Sequence, residues 1–338
     1  MVRNGEHCDS SGASTSRRNV LLTLSAAVGG AVLGPPSGRV SAKGTDDRIE
    51  ARSLALTHER RSVQYANAFE DPVVVAKPVS YGGGEPCFAR LGDVSSDGFD
   101  AAVQEWSYLD GGHIEETVGS LGVEAGVSRP SGGPRIEAGT VDAGTKWTRT
   151  TFDGRFSSPP VVLAQPHTND GSQPVVSRIK DVSRKGMSVQ LQSEEDGTVD
   201  ATETVGFVAI ERTSGTLGGR RFEAGVVPEV GHEMHTIEFA DEYEDPTFLA
   251  DVQTFEGGDA AALRYRNLRE GGVEVFVEEE TSHDEELWHA PETVGYVVLE
   301  GAGDEGNGNG RGPDRGERGP GNGEGHGMGR YGQIRFGQ

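Results

Sequence analysis

The chain has 338 residues, with 54 Asp and Glu against 31 Lys and Arg, a formal net charge of −23, and 51 glycines. So acidic a balance excludes wrapping nucleic acid, which needs a basic footprint. Two cysteines, Cys8 and Cys87, cannot build a disulfide framework, and beyond the N-terminus no apolar run is long enough to span a bilayer.

Taken from the start of the chain, Ser16-Arg-Arg-Asn-Val-Leu-Leu22 leads into an apolar stretch softened by glycine and alanine. This is similar to a twin-arginine export signal, and Val40-Ser41-Ala42 offers small residues before a cut at Lys43. Residues 1–42 are expected to be a signal peptide and 43–58 a linker. The mature protein is then secreted through the twin-arginine pathway, with no stable membrane span after the signal is removed.

Downstream, the sequence repeats. Phe69-Glu-Asp-Pro72, Phe156-Ser-Ser-Pro159 and Tyr243-Glu-Asp-Pro246 stand 87 residues apart, and each precedes an apolar run. Gly84, Gly171 and Gly258 follow at the same spacing, then Glu116-Thr-Val-Gly119, Glu203-Thr-Val-Gly206 and Glu292-Thr-Val-Gly295. Four markers in one order mean three tandem copies of one unit. Arg135-Ile-Glu-Ala-Gly139 and Arg221-Phe-Glu-Ala-Gly225 mark the starts of copies two and three, and the first copy is read as starting near Glu59.

Within a unit the periodicity is two. Met187, Val189 and Leu191 alternate with Ser188, Gln190 and Gln192, which makes a half-buried strand. Thr204–Ile210 is denser, as a central strand is. Copy two predicts six strands: Arg135–Gly139, Trp147–Phe152, Val161–Gln165, Val175–Val182, Met187–Gln192 and Thr204–Glu211. The expected fold is all-β, three tandem six-stranded antiparallel β-sandwich domains at 59–126, 133–212 and 219–301. Residues 302–338 form a Gly-rich tail that cannot bury enough apolar surface to order itself, so both termini are expected to be disordered.

Only five of the basic residues are lysines, and acid is spread along the whole chain. That surface resembles proteins of salt-loving archaea, where screening shortens charge repulsion. Trp147-Thr-Arg-Thr-Thr-Phe152, then Phe156-Ser-Ser-Pro-Pro-Val-Val162, a mid-unit strand carrying an arginine, and Gly186-Met-Ser-Val resemble the H-type lectin domain. The resemblance implies six-stranded sandwiches that bind N-acetylgalactosamine-type sugars and assemble as trimers, here as a pseudo-trimer of repeats. It also implies carbohydrate-binding residues: Arg90, Arg178 and Arg264 from the mid-unit strands, His113 in copy one, and Trp288 with His289 in copy three. Copy two carries Asp200 at the histidine position and would be the weakest binder. Glu-Thr-Val-Gly and the acidic strand ends Glu194-Glu195 and Glu278-Glu-Glu280 depart from the sugar-binding pattern.

The residues allow other readings. A strand arginine in an acidic protein also pairs with a cross-strand glutamate such as Glu105 or Glu279. His113-x-x-Glu116, His289-x-x-Glu292 and Asp200-x-x-Glu203, with acids nearby, offer oxygen-rich clusters for Ca²⁺. The same glutamates equally suit capping the backbone where a strand begins, so no cofactor is expected. Nothing matches a nucleophile elbow or a phosphate-binding loop, and three equal copies suit avidity more than catalysis. The expected function is an exported, non-enzymatic lectin-like protein that recognises extracellular or cell-surface polysaccharide. The alternative is a structural spacer module of a cell-surface assembly.

Overall fold

Val73-Val-Val-Ala76, Val161-Val-Leu-Ala164 and Thr247-Phe-Leu-Ala250 are apolar at successive positions, so strands built on them must be covered on both faces. The computed structural model shows how. It describes residues 49–284 and 286–302, all within one unit, and contains no helix among them. The first repeat supplies β1 (Ile49–Leu56), β2 (Arg61–Gln64), β3 (Pro72–Ser80), β4 (Cys87–Gly92), β5 (Gly98–Glu105) and β6 (Glu116–Glu124). After β7 (Gly126–Ser128), the second supplies β8 (Ile136–Ala143), β9 (Thr148–Thr151), β10 (Val161–Pro166), β11 (Val176–Ser183), β12 (Gly186–Gln192) and β13 (Glu203–Ile210). After β14 (Ser214–Leu217) come β15 (Arg220–Val230), β16 (His235–Glu238), β17 (Thr247–Val252), β18 (Ala261–Arg269), β19 (Gly272–Glu279) and β20 (Glu292–Leu299).

One pairing scheme recurs. The first, sixth and third strands of each repeat run side by side (β1-β6-β3, β8-β13-β10, β15-β20-β17), as do the second, fifth and fourth (β2-β5-β4, β9-β12-β11, β16-β19-β18). Pairing within repeats is antiparallel. A short parallel contact of β3 with β18, Arg264 opposite Val79 and Tyr265 opposite Ser80, joins repeats one and three into a six-stranded sheet. The sheets therefore hold three to six strands.

Each repeat has its own core, and a further core lies between repeats. In β3, Val74 and Ala76 pack in the first repeat's core, while Val73 and Val75 face the shared one. The shared core takes Val161, Leu163, Val208 and Ile210 from repeat two, and Phe222, Leu249, Val297 and Leu299 from repeat three. Dense strands are dense because both faces are dry.

The expected linker 43–58 is corrected by β1, which pairs with β6 from Ile49–Val123 to Leu56–Glu116. Leu54 and Leu56 drive this, being buried in the first repeat's core. The missing start marker is there too: Ile49-Glu-Ala51 stands 87 residues before Ile136-Glu-Ala138, with Arg52 replacing the glycine. The first repeat thus reaches back at least ten residues before Glu59, to Ile49. The gaps left between the expected domains also carry strands, β7 and β14, each pairing with the first strand of the repeat that follows. The export signal, its cut site and the Gly-rich tail from residue 303 onward lie outside the described residues.

Candidate functional site: the arginine junctions

Arg90, Arg178 and Arg264 occupy the fourth strand of their repeats, on β4, β11 and β18. All three are buried, at 5%, 4% and 0% relative exposure. Each reaches the glutamate that opens Glu-Thr-Val-Gly in the next repeat. Arg90 Nη2 lies 2.6 Å from Glu203 Oε1, Arg178 Nη2 3.2 Å from Glu292 Oε1, and Arg264 Nη2 3.2 Å from Glu116 Oε1. Repeat one grips two, two grips three, and three grips one. The cycle closes.

Each guanidinium makes further hydrogen bonds. Arg264 donates to the Ser80, Gly83 and Glu85 carbonyls and to Glu278 Oε2 at 2.5 Å. Arg178 donates to the Asp259 carbonyl and Gln192 Oε1, and Arg90 to the Thr168 carbonyl and Asn169 Oδ1. An aromatic ring of the neighbouring repeat covers two of them, Phe255 at 4.8 Å from Arg178 and Tyr81 at 5.2 Å from Arg264. Delocalised charge on a flat, weakly hydrated group suits such a site better than a lysine ammonium would. Burial pulls the Arg178 guanidinium down in pKa, and Glu292 is the largest opposing influence.

The glutamates cap backbone as well as pairing with arginine. Glu116 accepts from the Gly82 and Gly83 amides at 2.8 and 2.7 Å and from the Ser80 hydroxyl, and Glu292 accepts from the Glu256 amide at 3.0 Å and from Thr254. Burial pushes the Glu116 carboxyl up, but hydrogen bonds from Gly83, Ser80, Gly82 and His113 outweigh it and leave it below the ordinary range. Glu292 is lowered in the same way, with burial opposed by His289, Thr254, Glu256 and Arg178.

His113 and His289 stand beneath the glutamates, buried at 4% and 1% exposure. His113 bridges Glu105 at 2.8 Å and Glu116 at 3.2 Å, and His289 bridges Glu279 at 2.5 Å and Glu292 at 3.3 Å. Copy two has Ser193 and Asp200 at these places, and Asp200 instead accepts from Ser172 at the surface. Glu105 and Glu279, expected as arginine partners, hold histidines. The arginine partners are the marker glutamates and, for Arg264, Glu278 as well. Trp288 does not join its neighbour: it is 57% exposed beside the His232 ring, while His289 points inward. The expected Trp288–His289 pair is therefore split between surface and junction.

One contact escaped the sequence. Lys77, Ala164 and Asp251 occupy the same place in the three repeats, 87 residues apart. Lys77 Nζ meets Asp251 Oδ1 at 2.9 Å and the Ala164 carbonyl at 2.8 Å, and the Ala164 amide donates to Asp251 Oδ2. Aligning the copies column by column brings out this opposite-charge pair, which a search for shared markers passes over. Among the described residues, Glu85, Glu105 and His113 place ligand atoms within 4.8 Å of one another, a group that shares only His113 with the clusters suggested for Ca²⁺, and Glu105 and His113 are already bonded to each other.

Each junction holds two repeats together. A sugar hydroxyl reaching any of the three arginines would first have to displace a buried carboxylate.

No family model and no solved structure matches the chain. Among curated proteins it is similar to halomucin of Haloquadratum walsbyi, 32% identical over 256 residues that make up 72% of this chain. The match spans 3% of that much longer relative.

Proposed function

We propose that this chain is a secreted or cell-surface protein of a salt-loving archaeon, delivered by the twin-arginine route, whose three repeats form a rigid non-catalytic spacer block. Each repeat is read as a six-stranded sandwich of the H-type lectin kind, and the three as an internal pseudo-trimer. The likeness to halomucin and the Lys-poor acidic composition support the setting. The observation that carries the structural role is the closed cycle of Arg90–Glu203, Arg178–Glu292 and Arg264–Glu116 pairs. Residues used this way fix geometry, their guanidinium groups being committed to carboxylates and backbone carbonyls.

Carbohydrate binding is the second reading. It is favoured by Trp288, an exposed ring in the late loop of copy three next to Leu287, which is 61% exposed. Sugar rings stack on such faces. Pull-down on extracellular polysaccharide in molar salt, with wild type, Trp288→Ala and Arg90→Ala, separates the two. The spacer reading expects no retention of any of them, and lowered thermal stability in Arg90→Ala alone. Retention of wild type that Trp288→Ala abolishes would replace it with the lectin reading.

A further inference from the structure

Repeats two and three each receive an extra strand on the outer edge of their first strand. β7 pairs there with β8 (Gly126–Ala138, Val127–Glu137, Ser128–Ile136), and β14 with β15 (Ser214–Glu223 to Leu217–Arg220). Both strands come from the segment connecting one repeat to the next. Among the described residues, which begin at Ile49, no strand pairs with the outer edge of β1.

The consequence is visible in burial. Ile136 and Ala138 in repeat two, at 0% and 4% exposure, are fully covered, as are Phe222 and Ala224 in repeat three, at 1% and 4%. Their counterparts Ile49 and Ala51 are only half-buried, although they pack against the same shared core. Beside them lies a cleft of about 700 Å³, walled by Ile49–Ala51, Leu217–Arg221 and Leu299–Ala302. Arg220 Nη2 caps the Ala51 carbonyl at 2.8 Å.

We propose that the edge of β1 at Ile49–Ala51 is a strand-accepting site for an extended segment of another polypeptide. Its occupant has the chemistry of the connecting strands, a Val or Leu among Gly, Ser and Thr, as in Gly126-Val-Ser128 and Ser214-Gly-Thr-Leu217. The site continues an interface used twice in the same molecule, so register and side-chain fit are specified in advance. Backbone hydrogen bonds supply affinity, and the half-covered Ile49 and Ala51 supply an apolar seat. Such an edge lets this block be joined end to end with a neighbouring chain of the same repeat type.

The test uses the full chain in molar KCl and a labelled peptide of the sequence Leu121–Pro130, which contains β7, with a Ser128→Pro version as control, since Ser128 stands opposite the outward-facing Ile136. Saturable binding is expected, at least tenfold weaker for the proline peptide because proline withholds a ladder donor. Hydrogen exchange at Ile49 and Ala51, whose amides face away from β6, should slow on peptide addition, a readout that needs no protein variant. Arg220→Ala, which uncaps the Ala51 carbonyl, should bind the peptide at least as well as wild type. Absence of binding at millimolar peptide, equal binding of the proline version, or Ile49 and Ala51 amides already protected in the free chain would each overturn the proposal.

Discussion

Replacing Arg264 with alanine probes the central physical claim, that the junction arginines hold the repeats together. The side chain is fully buried and donates to two carboxylates and three backbone carbonyls. Glu116 would keep Gly82, Gly83, Ser80 and His113 as donors and remain satisfied. Glu278 would lose its charged partner. Its carboxyl is already pushed up by burial, and loss of the Arg264 charge would push it further in the same direction. Each stranded carbonyl costs about 1–3 kcal/mol if water does not reach it, and removal of one member of a buried pair costs about 3–5 kcal/mol. These are overlapping accounts of one loss, so about 3–5 kcal/mol is expected in all. For a block of this size that lowers the thermal midpoint by about 6–20 °C. Differential scanning calorimetry in 1 and 4 M KCl should give nearly the same loss at both, because a buried pair is little screened. A loss under about 1 kcal/mol, or one that vanishes in 4 M salt, would refute the reasoning.

Three further outcomes follow from the geometry. Gly119→Ala would drive a Cβ to 2.0 Å from the Phe248 carbonyl of repeat three, so it should destabilise by about 3 kcal/mol, the upper end of overpacking costs; an unchanged denaturant midpoint would show that the repeats do not approach so closely. The Glu195 carboxyl is pushed up to about 7, first by its hydrogen bond with Asp259, then by burial and by the charges of Asp259, Glu280 and Asp284. A raised folded value means its favourable contribution is present below the ordinary carboxylate range and is lost as pH rises through 7. Glu195→Gln should then raise the melting temperature at pH 8 and leave it unchanged at pH 5; equal effects at both pH values would contradict this. Glu116 runs the other way: its folded value is lowered, so its contribution is present above the unfolded carboxylate range and fades as pH falls through the folded value. The stability gap between wild type and Glu116→Gln should therefore narrow steadily from about pH 5 to pH 3, and a gap independent of pH would count against the junction as described.

The strand pattern was largely legible. Met187, Val189 and Leu191 were placed on one buried face by alternation alone, and β12 spans Gly186–Gln192. β1 was missed because Arg52 breaks the Glu-Ala-Gly marker and because four half-buried residues, Ile49–Arg52, precede Leu54. β7 and β14 were missed for another reason. Three or four small polar residues carry no period, and they become strands only because the next repeat offers them an edge.

At the site, residue choice was visible and partnership was not. The arginines, histidines and Glu-Thr-Val-Gly glutamates stood out by recurring in register. That each arginine answers a glutamate 113, 114 or 148 residues away could not be read from spacing. A pairing between repeats depends on how the repeats pack, and local sequence does not encode that.

By itself, then, the order of residues determined a tripled unit of short strands, since a period of two and a recurrence of 87 are properties of the chain read in one dimension. Tertiary structure alone decided that Val73, Leu163 and Leu249 meet in one core and that Arg264 closes a cycle begun at Arg90. The arginines are desolvated where β4, β11 and β18 come together around Phe88, Val176 and Ala260, and a desolvated charge must find its counterion in the surface that covers it.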